Sequence, residues 1–164
     1  MTIIDTPDQL ITNLSTLSPN KFTIVINKFK PLAFFAQSII IPSSSIGQNR
    51  MPTNRSKVWS TPGDTIEYDD LVIGFILDED LKAYQQIKAW MEAIVNDPDP
   101  KDRFSDITIY LLTNNSTKNF TFTFKDTYPF TLGTIAMDTT QGEDQALTLD
   151  VTFKHTTFDI APTL

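Results

Sequence analysis

Few residues in this chain could carry acid–base or metal chemistry. There is one histidine, His155, and no cysteine, so thiol nucleophiles, zinc–thiolate sites and disulfides are excluded. A serine nucleophile would depend on His155, and no Gly-X-Ser-X-Gly turn is present to present one. A lone histidine beside a final strand is more often structural than catalytic. Carboxylates are better placed, because Asp69-Asp70 and Asp78-Glu79-Asp80 could form an acid–base pair or an oxygen-ligand cation site. Both groups have plainer readings. Adjacent strand residues point to opposite faces, and carboxylates ahead of a helix answer the positive charge of its first turn. The five glycines do not cluster, which removes a phosphate-cradling loop. Phe120, Phe122 and Phe124 with Lys118 and Lys125 resemble a base-stacking platform. Their strict alternation with Thr121 and Thr123 reads instead as one face of a core strand. No catalytic residue, cofactor or metal is expected.

These residues sit on a chain of short strands around one long helix. The helix is expected over residues 80–95, started by Asp78, Glu79 and Asp80 and stopped by Asn96-Asp97-Pro98-Asp99-Pro100. Leu81, Tyr84, Ile87, Met91, Ile94 and Val95 recur at three- and four-residue spacing, giving one apolar stripe with Trp90 at its border. An acidic strand, 64–77, leads into it. Other strands are expected over 21–29, 32–41, 106–113, 120–125, 130–137 and 145–155, about seven in all. Apolar groups on both faces of 32–41 predict burial on both sides. Tyr128-Pro129 is expected to break a strand, and Gly133 to mark a bulge. Residues 1–18 read as an arm with a short helix through Leu10, Leu14 and Leu17, and 42–62 as a long loop, with 54–59 able to form one side of a hairpin. Alternating strands plus one amphipathic helix predict a mainly β domain with one long helix packed on β-sheet, its antiparallel sheets folded as a sandwich or a partial barrel.

The 164 residues suit a single domain, with 40% hydrophobic and 20% charged residues. No stretch reaches the roughly 20 apolar residues of a membrane helix, and no signal peptide is expected. Net charge is −7, which disfavours tight binding to phosphates. The charge is unevenly laid out. Residues 42–62 carry Arg50, Arg55 and Lys57 and no acid, whereas 64–80 carry Asp64, Glu67, Asp69, Asp70, Asp78, Glu79 and Asp80 and no base. A cationic arm beside an anionic flank suits head-to-tail self-association; solubilising loop charges are the alternative.

Gly63-Asp64, then Tyr68-Asp69-Asp70, a hydrophobic strand, Asp78-Glu79-Asp80 and a helix containing Trp90 follow one another in order. With Asn20-Lys21-Phe22 opening the first strand and 145–153 near the end, this progression resembles the tail tube protein family of contractile-tailed, T-even-type bacteriophages, from about residue 19 to 158. The resemblance implies two packed antiparallel sheets forming a partial β-barrel, with a flanking α-helix and a long extended loop, in a virion structural protein assembled in the host cytoplasm. Six subunits would form a ring lined by a continuous β-barrel, and stacked rings would conduct DNA without binding it. Implied partners are further copies of the chain, tail sheath, baseplate or tube initiator, and tape-measure protein. The long loop would reach the next ring, so Arg50, Arg55, Lys57 and Trp59 would bridge rings, while Asp64, Glu67, Asp69 and Asp70 would serve subunit contact or lumen charge. Thr121, Thr123, Thr148, Asp150 and Thr152 are candidate lumen or solvent positions. The alternatives are a tube-initiator or baseplate protein of the same fold, a small-ligand-binding β-barrel module and, last, a carboxylate enzyme.

Overall fold

The computed structural model describes residues 16–29, 35–52, 58–96, 103–138, 140 and 146–162. The strands in chain order are β1 (Phe22–Ile26), β2 (Ala36–Ile40), β3 (Ser44–Pro52), β4 (Val58–Tyr68), β5 (Leu71–Ile76), β6 (Ser105–Leu112), β7 (Lys118–Leu132), β8 (Thr148–Lys154) and β9 (Thr157–Pro162); the helix α1 (Lys82–Asn96) lies between β5 and β6. Every strand pair is antiparallel. One sheet has the order β1-β6-β7-β9 and the other β2-β5-β8-β7, so β7 belongs to both. Among the described residues β3 and β4 pair only with each other.

The shared strand turns one sheet into the other. Phe120 pairs with Pro162 and Lys125 with Thr157, and Tyr128 pairs with Lys154 in the same register. β8 and β9 therefore run as one bent strand along the whole of β7. The corner on β7 is Asp126, whose φ of 53° opens a bulge against β6. The Asp126 amide donates to the Asp106 carboxylate at 3.3 Å, and the fully buried Thr127 hydroxyl donates to the Phe124 carbonyl at 3.3 Å. Tyr128-Pro129 does not break the strand as the sequence suggested. Pro129 sits at a register shift in the half of β7 that pairs only with β8, and a strand edge tolerates its missing N–H. That shift, between Pro129 and Thr131, is the irregularity; Gly133 lies just beyond the strand, its amide bonded to the Asp150 carbonyl at 2.8 Å.

Alternation builds a single core. Ile24, Ile26, Ile107, Ile109 and Phe124 come from the first sheet and Leu71, Ile73, Phe75, Leu149, Val151 and Phe153 from the second. Burying each is worth about 1.5–3 kcal/mol. The helix closes the core with Ala83, Ile87 and Trp90. Here the expected stripe is rotated: Trp90 is fully buried, between Phe29 and Phe153, while Val95 is 83% exposed. Periodicity counts apolar residues alike, but the wide indole fills the gap and finds a partner for its N–H, the Arg103 carbonyl at 3.3 Å. The helix begins at Lys82 rather than residue 80, because Leu81 takes φ 51°; Asp78 caps the turn, accepting the Lys82 amide at 2.9 Å.

Other expectations shift as well. The acidic strand divides at Asp69-Asp70 into β4 and β5, and β9 is a strand the sequence did not reveal. β2 is an edge strand, not one buried on both sides: Ile40 is 63% exposed. Phe124 is buried and Phe122 half-buried, but Phe120 is exposed, because the start of β7 runs past the core. Of the arm expected over 1–18, residues 16–18 are not helical and Leu17 is 57% exposed; residues 1–15, Leu32 and Phe34, the proline stop at 97–100 and loop residues 141–145 lie outside the described residues. The result is a mainly β fold of two antiparallel sheets with one helix, curved like a barrel and left open.

Candidate assembly surfaces

The stretch expected as a long loop is one arm of an extended β-hairpin. β3 and β4 pair from Ser44–Tyr68 at the base to Pro52–Val58 near the tip. A register shift follows Ile46, where Gly47 and Gly63 let the arms close up; a Cβ on Gly63 would stand 2.7 Å from the Gly47 carbonyl oxygen. Ile46 and Ile66 are directly opposed, and both are more than half exposed. Trp59, near the tip, is 68% exposed, an unusual position for so large an apolar ring.

The expected contact residues distribute along this hairpin. Arg50 is exposed on β3, its Nε 3.4 Å from the Gln48 side-chain oxygen. Arg55 and Lys57 lie outside the described residues. Asp64 and Glu67 are exposed on β4, so acidic residues expected on a separate flank belong to the finger itself. Asp69 and Asp70 part company at the base. The Asp69 carboxylate accepts the Ser43 hydroxyl and its amide donates to the Ser43 carbonyl at 3.0 Å, whereas Asp70 faces the body, 3.5 Å from Lys154 Nζ. They make no acid–base pair. No group of three or more His, Asp or Glu among the described residues could hold a metal ion.

The candidate lumen residues fall on two surfaces. Thr148, Asp150 and Thr152 alternate with buried Leu149, Val151 and Phe153, which puts them on the outer face of the second sheet. Ser38, Gly74 and Asp150 form a row across β2, β5 and β8 on that face. A Cβ on Gly74 would come within 3.0 Å of the Asp150 carboxylate and closer still to the Ser38 hydroxyl, so the row is low and smooth there. Thr121 and Thr123 belong to the outer face of the first sheet, opposite Tyr110 and Thr108, beside the 2.7 Å Lys125–Asp159 ion pair.

In the two main sheets four strand edges are open among the described residues: β1 and β9 in the first sheet, and β2 and the second half of β7 in the second. β1 and β2 flank a groove of about 300 Å³ lined by Phe22, Ile39, Ile109 and Leu111. Exposed Ile40 lies on the β2 edge and exposed Phe130 on the β7 edge, with Lys154 Nζ 4.6 Å above the Phe130 ring. Sequence reasoning missed both the β7 edge and Phe130, because the strand was expected to break at Pro129.

His155 occupies the corner between β8 and β9. Its ring lies 5.0 Å from Phe124, 5.8 Å from Phe158 and 5.9 Å from Tyr68, centroid to centroid. Both ring nitrogens are sealed from solvent and make no hydrogen bond. Burial holds the imidazole below its ordinary pKa, and the Asp70 carboxylate opposes that shift.

The profile of the phage tail tube protein family matches residues 3–161. The tail tube terminator protein of Enterobacteria phage T4 is 30% identical over 105 residues, a stretch covering 60% of this chain and 60% of that protein. In structure, the tube-terminating cap of the anti-feeding prophage superposes with a TM-score of 0.73 at 14% identity, over 98% of this chain and 100% of its own. The sheath/tube terminator of an extracellular contractile injection system, PVC, gives a TM-score of 0.69 at 14% identity, over 89% and 96%. At that identity the two structures speak for the fold alone. The family match extends over nearly every element described above, from the first strand to β9, and on that ground the chain belongs to the phage tail tube protein family.

Proposed function

We propose that this chain is a ring-forming structural subunit of a contractile tail, seated at the end of the tube as its terminator. The observation that carries ring formation is the pair of open edges on the second sheet, β2 with exposed Ile40 and the second half of β7 with exposed Phe130. Unpaired backbone groups beside exposed apolar side chains invite a neighbour's strand. Joining the β2 edge of one copy to the β7 edge of the next continues the sheet around a ring. Six copies are the number the family resemblance implies.

In such a ring the outer face of the second sheet lines the channel. Thr148, Asp150, Thr152 and Ser38 are small and polar. Among the described residues, the cation that follows them on β8, Lys154, is engaged by Asp70 and Phe130. A wall of this kind offers passing DNA no row of free cations, so phosphates are not held. The β3–β4 hairpin, with Arg50, Trp59 and the Ile46–Ile66 pair, reaches a second ring, and the outer helix face meets sheath. The terminator position is favoured by the T4 relative, itself a tail tube terminator protein. The second reading is a repeating tube subunit with the same contacts on both ring faces, and the family's own description supports it.

Negative-stain microscopy of the purified protein, with and without tube subunits of the same phage, tests both. The expected result is discrete rings that do not stack alone and that halt tube growth when added. Hollow filaments of unlimited length from this chain alone would move it to the repeating position. A monomer at every concentration, with no effect on tubes, would overturn ring formation.

A further inference from the structure

We propose that His155 is a proton-sensitive latch: neutral, it holds the base of the β3–β4 hairpin on the body, and protonated it lets that base go. The hairpin continues β2 and β5 in the same register, Ile40 opposite Val72 and Ser44 opposite Tyr68, so the chain ties it to the second sheet at one end; among the described residues it shares no ladder with β7, β8 or β9 beside its base. The bonds at its base, Ser44 pairing with Tyr68 and the Asp69 amide donating to the Ser43 carbonyl, join the two arms to each other. What packs the base of the arms sideways against the β8–β9 corner is the Tyr68 ring, set against His155 at 5.9 Å and edge-on to Phe158 at 5.2 Å. Phe158 in turn stacks on Phe124 at 5.3 Å. Three strands, β4, β7 and β9, therefore meet on one imidazole at the corner where the second sheet becomes the first.

This packing accepts a neutral ring and resists a charged one. With both nitrogens sealed and unbonded, an imidazolium would place two N–H donors among aromatic rings without acceptors. The charged groups around the site do not relieve it. Asp70, between β4 and β5, is the carboxylate that acts on the ring, and it is shared with Lys154 of β8. Lys125 of β7 and Asp159 of β9 pair with each other at 2.7 Å on the outer face of their sheet. Protonation is thus coupled to opening, in which the ring reaches water or turns to Asp70 and Tyr68 loses its seat. The linked proton makes the open form more populated as pH falls below about 6.5, by at most about tenfold per pH unit. The latch stands whether or not the hairpin is the arm between rings; if it is, acid loosens that contact.

Hydrogen exchange on the intact chain reads the latch directly. Amides of β4 near Tyr68 and of Asp69, corrected for intrinsic exchange, are expected to open more as pH is lowered from 7.5 to 5. Amides of β5 and β8 should change much less. His155→Phe, which fills the aromatic site without titrating, should make the β4 amides insensitive to pH. Equal pH sensitivity in wild type and variant, or none in wild type, would overturn the proposal. Should His155→Phe not fold, His155→Leu and the wild-type imidazole proton shifts serve. Titration at or above the ordinary histidine pKa, or no common midpoint with hairpin opening, would likewise refute it.

Discussion

Replacing Ile46 and Ile66 together by Thr should dissolve the assembly and leave the subunit folded. The two residues are opposed across β3 and β4 and are 62% and 56% exposed. Full burial of an isoleucine is worth about 1.5–3 kcal/mol, so the exposed fractions leave about 1–2 kcal/mol in each side chain for a neighbouring copy to collect. The pair thus contributes about 2–4 kcal/mol per contact, equivalent to about 30- to 900-fold in an association constant. Thr keeps the β-branch and the strand preference while removing most of that apolar gain. Because neither side chain belongs to the core cluster, the subunit should lose no more than about 0.5 kcal/mol. Sedimentation velocity over a dilution series measures the first quantity, and thermal unfolding of the dilute subunit measures the second. If the double variant assembles at wild-type concentrations, the hairpin pair is not an interface and the reasoning fails. If instead it melts much earlier as a subunit, the pair is supported within its own chain and the assignment fails for a different reason.

Trp90→Ala should cost about 3–5 kcal/mol, since the ring is buried against Phe29 and Phe153, and should lower Tm by about 6–20 °C; Val95→Ala, on the exposed side, should change it by less than about 1 °C in the same melt. Gly63→Val should open the hairpin, because its Cβ would stand 2.7 Å from the Gly47 carbonyl, yet leave the main-body transition in place; exchange protection lost in β3 and β4 alone is the signature. Subunit stability should fall as pH drops through about 6.5, since the unfolded chain binds the His155 proton more readily than the folded one. Asp80, held low by Lys82, and Asp138, held low by the Thr140 amide and hydroxyl, release their contributions only below the usual carboxylate range, so urea titrations between pH 5 and 7.5 isolate the histidine. A flat profile over that interval would contradict the sealed site.

Much of the fold was legible in the sequence because it rests on local periodicity. Alternation in 145–155 and 106–113 placed Leu149, Val151, Phe153, Ile107 and Ile109 in the core, with Leu111 partly buried and Leu147 left exposed at the strand's entry, and the helix emerged from three- and four-residue spacing. Those patterns also put Thr148, Asp150 and Thr152 on one outward face. The order of Gly63-Asp64, Tyr68-Asp69-Asp70, Asp78-Glu79-Asp80 and Trp90 carried the family resemblance, which the family match over residues 3–161 then established. Composition alone left no thiol chemistry and one histidine.

What the tertiary structure decided was every feature made by partners distant in the chain. Pro129 could stay inside β7 only because that half of the strand has one neighbour, a fact of sheet order that no local signal contains. Trp90 rather than Val95 became the centre of the helix face because Phe29 and Phe153 converge on it from elsewhere. Asp64 and Glu67 joined the same finger as Arg50 once β3 and β4 paired, which a division by charge along the sequence had separated. His155 acquired its sealed site from Tyr68, Phe124 and Phe158, which meet only where β7 bends. Sequence fixes which faces are apolar, since that depends on spacing along one strand; which edge stays open and which ring is enclosed depends on long-range pairing, and only the folded chain supplies it.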